Sequence, residues 1–167
     1  MAKDFADFYG EELRYLPTIC AIWLCFFYSI SVGADLDHFA QQGVELLSRY
    51  LQIDTINPPG NEIRGVELLS DFLDEAGISY QTAESAPGRG NIWARLKGGD
   101  KPALVLLHHI DVVPANRKYW SFDPLSGEIK NGYVYGRGAI DTKGLGIAQL
   151  QAFLALRESG RKLNRDV

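Results

Sequence analysis

The chain has 167 residues, 46% hydrophobic and 23% charged, with a formal net charge of -4. This composition describes a globular protein of about one domain and excludes an intrinsically disordered chain. The mild acidity, without a basic patch, argues against nucleic acid as a partner, and the chain has no internal repeat and no low-complexity tract.

In chain order the first feature is an uncharged stretch from Tyr15 to Ala34, which holds Ile19, Ile22, Trp23, Leu24, Phe26, Phe27 and Tyr28. Val32-Gly33-Ala34 resembles a small-residue cleavage site ahead of Asp35. An export signal over residues 1–34 is the first expectation, and it implies a periplasmic or extracellular destination. Yet Asp4, Asp7, Glu11 and Glu12 outnumber Lys3 and Arg14, whereas the leading region of a signal is positive. The stretch also reaches the ~20 residues of a membrane span. A retained anchor through residues 15–34 is therefore the second reading, and a buried soluble helix the third. Cys20 and Cys25 both lie in this segment, so a chain cleaved after Ala34 has no thiol and cysteine usage does not set its compartment.

From Asp35 onward, helical and extended patterns alternate, which predicts an α/β fold for residues 35–167. Leu36, Ala40, Val44, Leu47 and Leu51 recur at helical spacing and predict a helix over Asp35 to Tyr50. Asn57-Pro58-Pro59-Gly60 breaks the chain. Asn61 is placed to cap a second helix, with Ile63, Val66, Leu69 and Leu73 as its apolar stripe and Gly77 as its stop. Ile78 to Ala83 and Asn91 to Leu96 read as strands. Gly98-Gly99-Asp100 turns into a continuous aliphatic run, Leu104 to Leu107, expected to be a strand buried on both faces.

That run ends in His109-Ile110-Asp111-Val112-Val113-Pro114, and Asp141 follows thirty residues after Asp111 inside Gly136-Arg137-Gly138-Ala139-Ile140-Asp141-Thr142-Lys143-Gly144. Side chains alternate along a strand, so His109 and Asp111 point to one side. A neutral imidazole is a good zinc ligand, and a carboxylate that takes its other N–H fixes the tautomer and raises its basicity. A buried His–Asp hydrogen bond without a metal is the plainer alternative. Gly127-Glu128-Ile129 and Gly132-Tyr133-Val134-Tyr135 predict a hairpin turned at Lys130-Asn131-Gly132. Asp141, ahead of a helix that starts near Gly144, is placed to hold a cation or, more plainly, to cap that helix. The last helix, Leu145 to Glu158, carries Ile147, Leu150, Leu154 and Leu156.

Two imitations fall away. In the glycine-rich segment Asp141 stands where a dinucleotide fingerprint needs its third glycine, and Lys143 is not preceded by Gly and followed by Ser or Thr as in a phosphate loop. His108 faces away from His109 and is expected to pack. Trp120 and Phe122 either line a cleft or belong to the core. Arg137 either pairs with a carboxylate near the metals or braces the glycine turn.

The strings LLHHIDVVPA and YWSFDPLSGEIKNGYVYGRGAIDTKG, with IDTINPPGNE and GRGNIWARL before them, resemble the co-catalytic zinc metallopeptidase family of aminoacylases, glutamate carboxypeptidases, acetylornithine deacetylases and succinyl-diaminopimelate desuccinylases. The resemblance runs from about Gln42 to Val167. It implies an α/β fold, the N-terminal part of a zinc-peptidase-like catalytic domain with helices packed on a mixed sheet. It implies that His109 ligates one metal, that Asp111 is the catalytic carboxylate supporting that histidine, and that Asp141 bridges two metals. The implied cofactor is zinc, two ions per complete site, with cobalt or manganese as substitutes. The implied activity is hydrolysis of an amide bond in a small peptide or N-acyl amino acid.

The family pattern also places a Glu-Glu pair, the general base followed by a metal ligand, after the glycine-rich motif, and a further acidic ligand and a second His later still. After Gly144 this sequence offers Glu158 and Asp166 and no adjacent acidic pair. The sequence is therefore expected to be the N-terminal part of a longer enzyme and to lack activity by itself, with any dimer formed only by the full-length form. The rival from another class is a non-catalytic exported or membrane-anchored binding module that keeps the scaffold.

Overall fold

The structure, a computed structural model, describes residues 37–167. The chain divides into two compact units, Met1–Phe39 and Ala40–Val167. The core, the β-ladders and the residues His109, Asp111 and Asp141 all belong to the second. The export or anchor segment expected over residues 15–34 lies outside the described residues. Among the described residues no helix is long and apolar enough to cross a membrane.

Three helices are formed where apolar spacing predicts them. Helix α1 spans residues 37–52, and its Leu46, Tyr50 and Leu51 are almost fully buried. Helix α2, Ile63–Glu75, turns Val66, Leu69, Phe72 and Leu73 inward. Helix α3, Gly144–Glu158, contributes Ile147, Phe153 and Leu154. Leu46 and Tyr50 of α1, Leu68, Leu69 and Phe72 of α2, and Ile147 of α3 form one core cluster. Shortening one of these side chains to Ala would cost on the order of 2–5 kcal/mol, because a close-packed interior collapses only partly around a cavity.

The ends of α2 show what the local sequence encodes. Its N-cap is Glu62, with no side-chain capping bond, so the expected cap by the Asn61 side chain does not form. Asn61 instead takes a positive φ of 69° and its carbonyl accepts from Arg64 N–H. At the other end Gly77 adopts φ 63°. Gly77 N–H donates to the Asp74 carbonyl and Ile78 N–H to the Leu73 carbonyl, the paired closure that a left-handed residue permits.

Strands β1 (Tyr80–Glu84) and β2 (Gly90–Ala94) pair antiparallel, as do β3 (Glu128–Lys130) and β4 (Tyr133–Tyr135). Asn131 and Gly132 turn the second hairpin with φ of 51° and 80°, the doubly positive geometry that matches strand twist. Parallel pairing also occurs, as single bridges between Ile56 and Val112 and between Lys101 and Arg165.

The aliphatic run departs from expectation. Among the described residues Leu104 to Leu107 enters no ladder, and Val105 and Leu107 are 75% and 77% exposed. A strand is buried on both faces only when its edges are paired and its faces covered. Here the final residues run beside only the start of the segment: Leu104 N–H donates to the Asp166 carbonyl, while Val167 and Leu96 exchange both backbone bonds. Asp166 secures this strap by accepting from Gly98 N–H and from the Arg95 guanidinium. Those donors, the Gly98 amide first, hold its carboxyl below the usual range. The chain class is α/β as expected, with two separate two-stranded antiparallel ladders and, outside them, the two isolated bridges.

An exposed apolar edge favours self-association. Leu107→Lys is expected to leave unfolding free energy within about 0.5 kcal/mol of the parent and to lower the apparent mass of concentrated samples in light scattering. An unchanged concentration dependence would show that this edge does not drive association.

Candidate metal centre

His109 and Asp111 are held in place from below by α1 and the segment that follows it. Thr55 is fully buried, and its hydroxyl donates to the Ile110 carbonyl at 2.8 Å. Val112 N–H donates to the Thr55 carbonyl and Asn57 N–H to the Val112 carbonyl. The Asn57 side-chain amide then donates to Asp111 Oδ2 at 3.1 Å. Residues 110–112 are thereby tied to residues 55–57.

Asp141 arrives on a tight turn, Ala139–Lys143, between Gly138 and α3. Gly138 has φ 89°, and a Cβ there would meet Val112 Cγ1 at 2.5 Å and Lys143 Cδ at 3.5 Å, so only glycine lets the turn lie on Val112. Asp141 and Thr142 are not helical, and the peptide between them is cis. The N-cap of α3 is Lys143, so Asp141 does not cap that helix.

The structure brings His109, Asp111 and Asp141 together. His109 Nδ1–H donates to the Asp111 carbonyl at 2.9 Å, with the Asp111 carboxylate 3.2 Å away. His109 Nε2 lies 2.9 Å from Asp141 Oδ1. Asp111 thus meets the imidazole through its backbone first and its carboxylate second. Asp141 is 83% exposed, which leaves its carboxylate open to an incoming ion.

The donor count at this imidazole is decisive. A carbonyl and a carboxylate are acceptors only, and a neutral imidazole has one N–H. With Nδ1 donating to Asp111, Nε2 needs a positive partner before it can face Asp141: a proton or a metal ion. Accordingly the hydrogen bond to Asp141, aided by the Asp111 carbonyl and by both negative charges, raises the His109 pKa above its ordinary value against partial desolvation. Two donors on one tetrahedral zinc, each about 2.0–2.2 Å from it, stand about 3.3–3.6 Å apart, so the hydrogen-bonded pair at 2.9 Å would have to open by about half an ångström to share an ion. Among the described residues no group of three or more His, Cys, Asp or Glu is arranged so that all could hold one metal ion. The fit is that of a partial donor set.

His109 opens on a cleft of about 580 Å³ lined in part by Glu62, Arg89, Leu107, His108, Asp111 and Thr142. Arg89 Nε sits 2.7 Å from Glu62 Oε2 but is too poorly aligned to count as a hydrogen bond. Trp120 and Phe122 lie elsewhere: Phe122 packs between Trp120 and Tyr135, and the Arg137 guanidinium rests over Trp120 at 5.1 Å. Arg137 therefore stacks on Trp120 rather than pairing with a metal-site carboxylate.

His108 packs, as its alternation predicts. Its Nε2 is 3.3 Å from the Tyr50 hydroxyl, and burial, then the neighbouring His109, lowers its pKa. Sequence reasoning missed Lys143, whose side chain is entirely buried. Burial pulls its pKa to about 8, opposed by the Asp54 charge. The one signal in the sequence was a lysine flanked closely by glycines with no phosphate-loop pattern to explain it.

The family described as Peptidase family M20/M25/M40 matches residues 105–167. Aminoacylase-1 of Sus scrofa is 34% identical over 141 residues, which cover 82% of this chain and 34% of that protein. Succinyl-diaminopimelate desuccinylase of Methylorubrum extorquens is 38% identical over 101 residues, 58% of this chain and 26% of that one. Among solved structures, an M20 family metallo-carboxypeptidase from Sulfolobus solfataricus superposes with a TM-score of 0.62 at 26% identity, covering 77% of this chain and 29% of that one. Human carnosine dipeptidase 1 gives 0.54 at 25% identity, covering 81% and 31%. The chain thus spans about a third of the length of the curated relatives it matches.

The contact between α3 and His108 yields a test of sign. A helical Gly→Ala change ordinarily stabilises by roughly 0.5–1 kcal/mol. A Cβ on Gly146 would instead meet the His108 ring, with Cγ at 2.6 Å. Gly146→Ala is therefore expected to lower the unfolding free energy by at least about 1 kcal/mol in urea denaturation. Stabilisation would show that the ring is not wedged against the helix.

Proposed function

We propose that the chain, as a member of Peptidase family M20/M25/M40, carries one part of the centre of a metal-dependent amide hydrolase acting on small peptides or N-acyl amino acids. The observation that carries this reading is the imidazole with acceptors on both nitrogens, joined to an exposed carboxylate 2.9 Å away. Likeness to aminoacylase-1 supports an acylated amino acid as substrate. Zinc suits an imidazole and carboxylate donor set, and a pair of ions is the fuller form of the proposal.

His109 Nε2 and Asp141 Oδ1 would hold the first ion, and the second oxygen of Asp141 is the group through which it would share a neighbouring one. When bound, such ions polarise a scissile carbonyl and lower the pKa of water toward roughly 7. The protein's own part is positional. Asp111 takes Nδ1–H, which fixes the tautomer and turns the Nε2 lone pair outward. Asn57 holds the Asp111 carboxylate in turn. The cleft beside His109 is lined by Leu107 on one side and by the Glu62–Arg89 pair on another, so it offers both apolar and polar surface to a substrate.

One imidazole and two carboxylates are fewer donors than two ions need, and no acidic pair follows Gly144 to act as proton acceptor. The 167-residue chain by itself is therefore proposed to bind metal without turning over substrate. The Tyr15–Ala34 stretch supports export or membrane anchoring as the accompanying proposal.

Calorimetric titration with zinc tests the site. The parent chain is expected to bind saturably, Asp111→Asn no more than about tenfold more weakly because the backbone carbonyl still takes Nδ1–H, and Asp141→Ala not saturably, all with the parent's circular dichroism. Parent-like zinc affinity in Asp141→Ala would contradict the assignment. Zinc-dependent release of acetate from N-acetyl amino acids by this chain would contradict the partial-site reading.

A further inference from the structure

We propose that Lys143 and Tyr50 form an internal brace that sets the separation of His109 and Asp141, so that metal affinity depends on two positioning residues that touch no ion. The inference rests on the metal-site reading above.

The brace is built from a buried cation. Lys143 has no exposed surface. Its Nζ donates to the Tyr50 carbonyl and the Ile53 carbonyl, each at 2.9 Å, and lies 4.7 Å from the centroid of the Tyr50 ring. The Tyr50 carbonyl is one of the last four of α1, and Ile53 follows that helix directly. The Tyr50 carbonyl lies at the negative end of the helix dipole, where it also accepts a long 3.3 Å bond from Ile53 N–H. An ammonium is the side-chain group that satisfies two carbonyls at once and still meets an aromatic face. An apolar side chain of the same length would avoid desolvation but would leave both carbonyls with fewer donors.

Tyr50 is the node through which the two ligand-bearing segments communicate. Its carbonyl and ring hold Lys143, two residues after Asp141. Its hydroxyl lies 3.3 Å from His108 Nε2, one residue before His109, and the two rings meet edge to face at 6.1 Å. Direct ties between the segments are weaker: Thr142 Oγ1 is 3.4 Å from His109 N and 3.5 Å from His109 O. The closest hydrogen-bonded tie is the 2.9 Å contact between His109 and Asp141 themselves, and a metal ion would compete for those same two atoms. Once they are engaged, the Tyr50–Lys143 link is what keeps the carboxylate opposite the imidazole.

The test pairs zinc calorimetry with the visible spectrum of the cobalt-loaded chain. Tyr50→Phe removes only the hydroxyl. Lys143→Met removes the ammonium at similar length. Tyr50→Phe is expected to weaken zinc binding about tenfold and to shift the cobalt bands, with its far-ultraviolet circular dichroism unchanged. Lys143→Met is expected to do so more strongly. If Lys143→Met does not fold, Tyr50→Phe decides by itself. Parent-like zinc affinity and cobalt bands in the folded variants, alongside lost binding in Asp141→Ala, would overturn the brace and leave the metal site standing. Retained binding in Asp141→Ala would remove the metal site and the brace with it.

Discussion

His109 cannot donate from both ring nitrogens and stay neutral, yet the fold surrounds it with acceptors. The Asp111 carbonyl takes Nδ1–H, and Asp141 Oδ1 stands at Nε2. A positive partner at Nε2 reconciles the two, whether a proton or a divalent ion. This demand links the sequence motif to its chemistry. An imidazole with one acceptor would be an ordinary structural histidine. One with two acceptors, the second on an exposed carboxylate, is built to be completed by a cation. The same arrangement makes protons and metal compete for one position, since a metal ligand must be deprotonated.

The rest of the unit serves to hold that geometry from two directions. The buried Thr55, its neighbour Ile56 and Asn57 fasten residues 110–112 by backbone pairing and one side-chain amide. The end of α1 and the buried Lys143 fasten the Asp141 turn. Leu46, Leu51 and Ile147 supply the apolar mass under both. Burying an ammonium costs several kcal/mol unless its hydrogen bonds are made good. Two carbonyls and an aromatic face supply that compensation at Lys143.

Much of this was legible in the sequence where a short-range rule governs. Apolar spacing placed the three α-helices of the described residues, because burial of one stripe decides a helix wherever it packs. Asn131-Gly132 placed its hairpin, because that turn demands two positive φ angles. Gly77 ended α2 for the same kind of reason. The motif also named His109, Asp111 and Asp141 as neighbours, and the fold puts them within hydrogen-bond reach. What stayed hidden depends on partners far along the chain. Leu104 to Leu107 reads as a buried strand, but pairing and cover decide burial, and only its first residue is paired. Asn61 reads as a cap, but its backbone turns the other way. Lys143 gave no periodic signal, since its partners, the carbonyls of Tyr50 and Ile53, lie some ninety residues earlier. The N-terminal stretch, by contrast, rests on its composition alone.

The central claim is that Nε2 of His109 and a carboxylate oxygen of Asp141 share a divalent cation. Anomalous diffraction at the zinc edge, from crystals of the chain soaked in zinc, addresses it directly. The expected result is a peak bonded to both atoms, at about 2.0–2.2 Å from each, with Nδ1 still on Asp111. A zinc peak elsewhere, with the imidazole still hydrogen-bonded to Asp141, would contradict the claim.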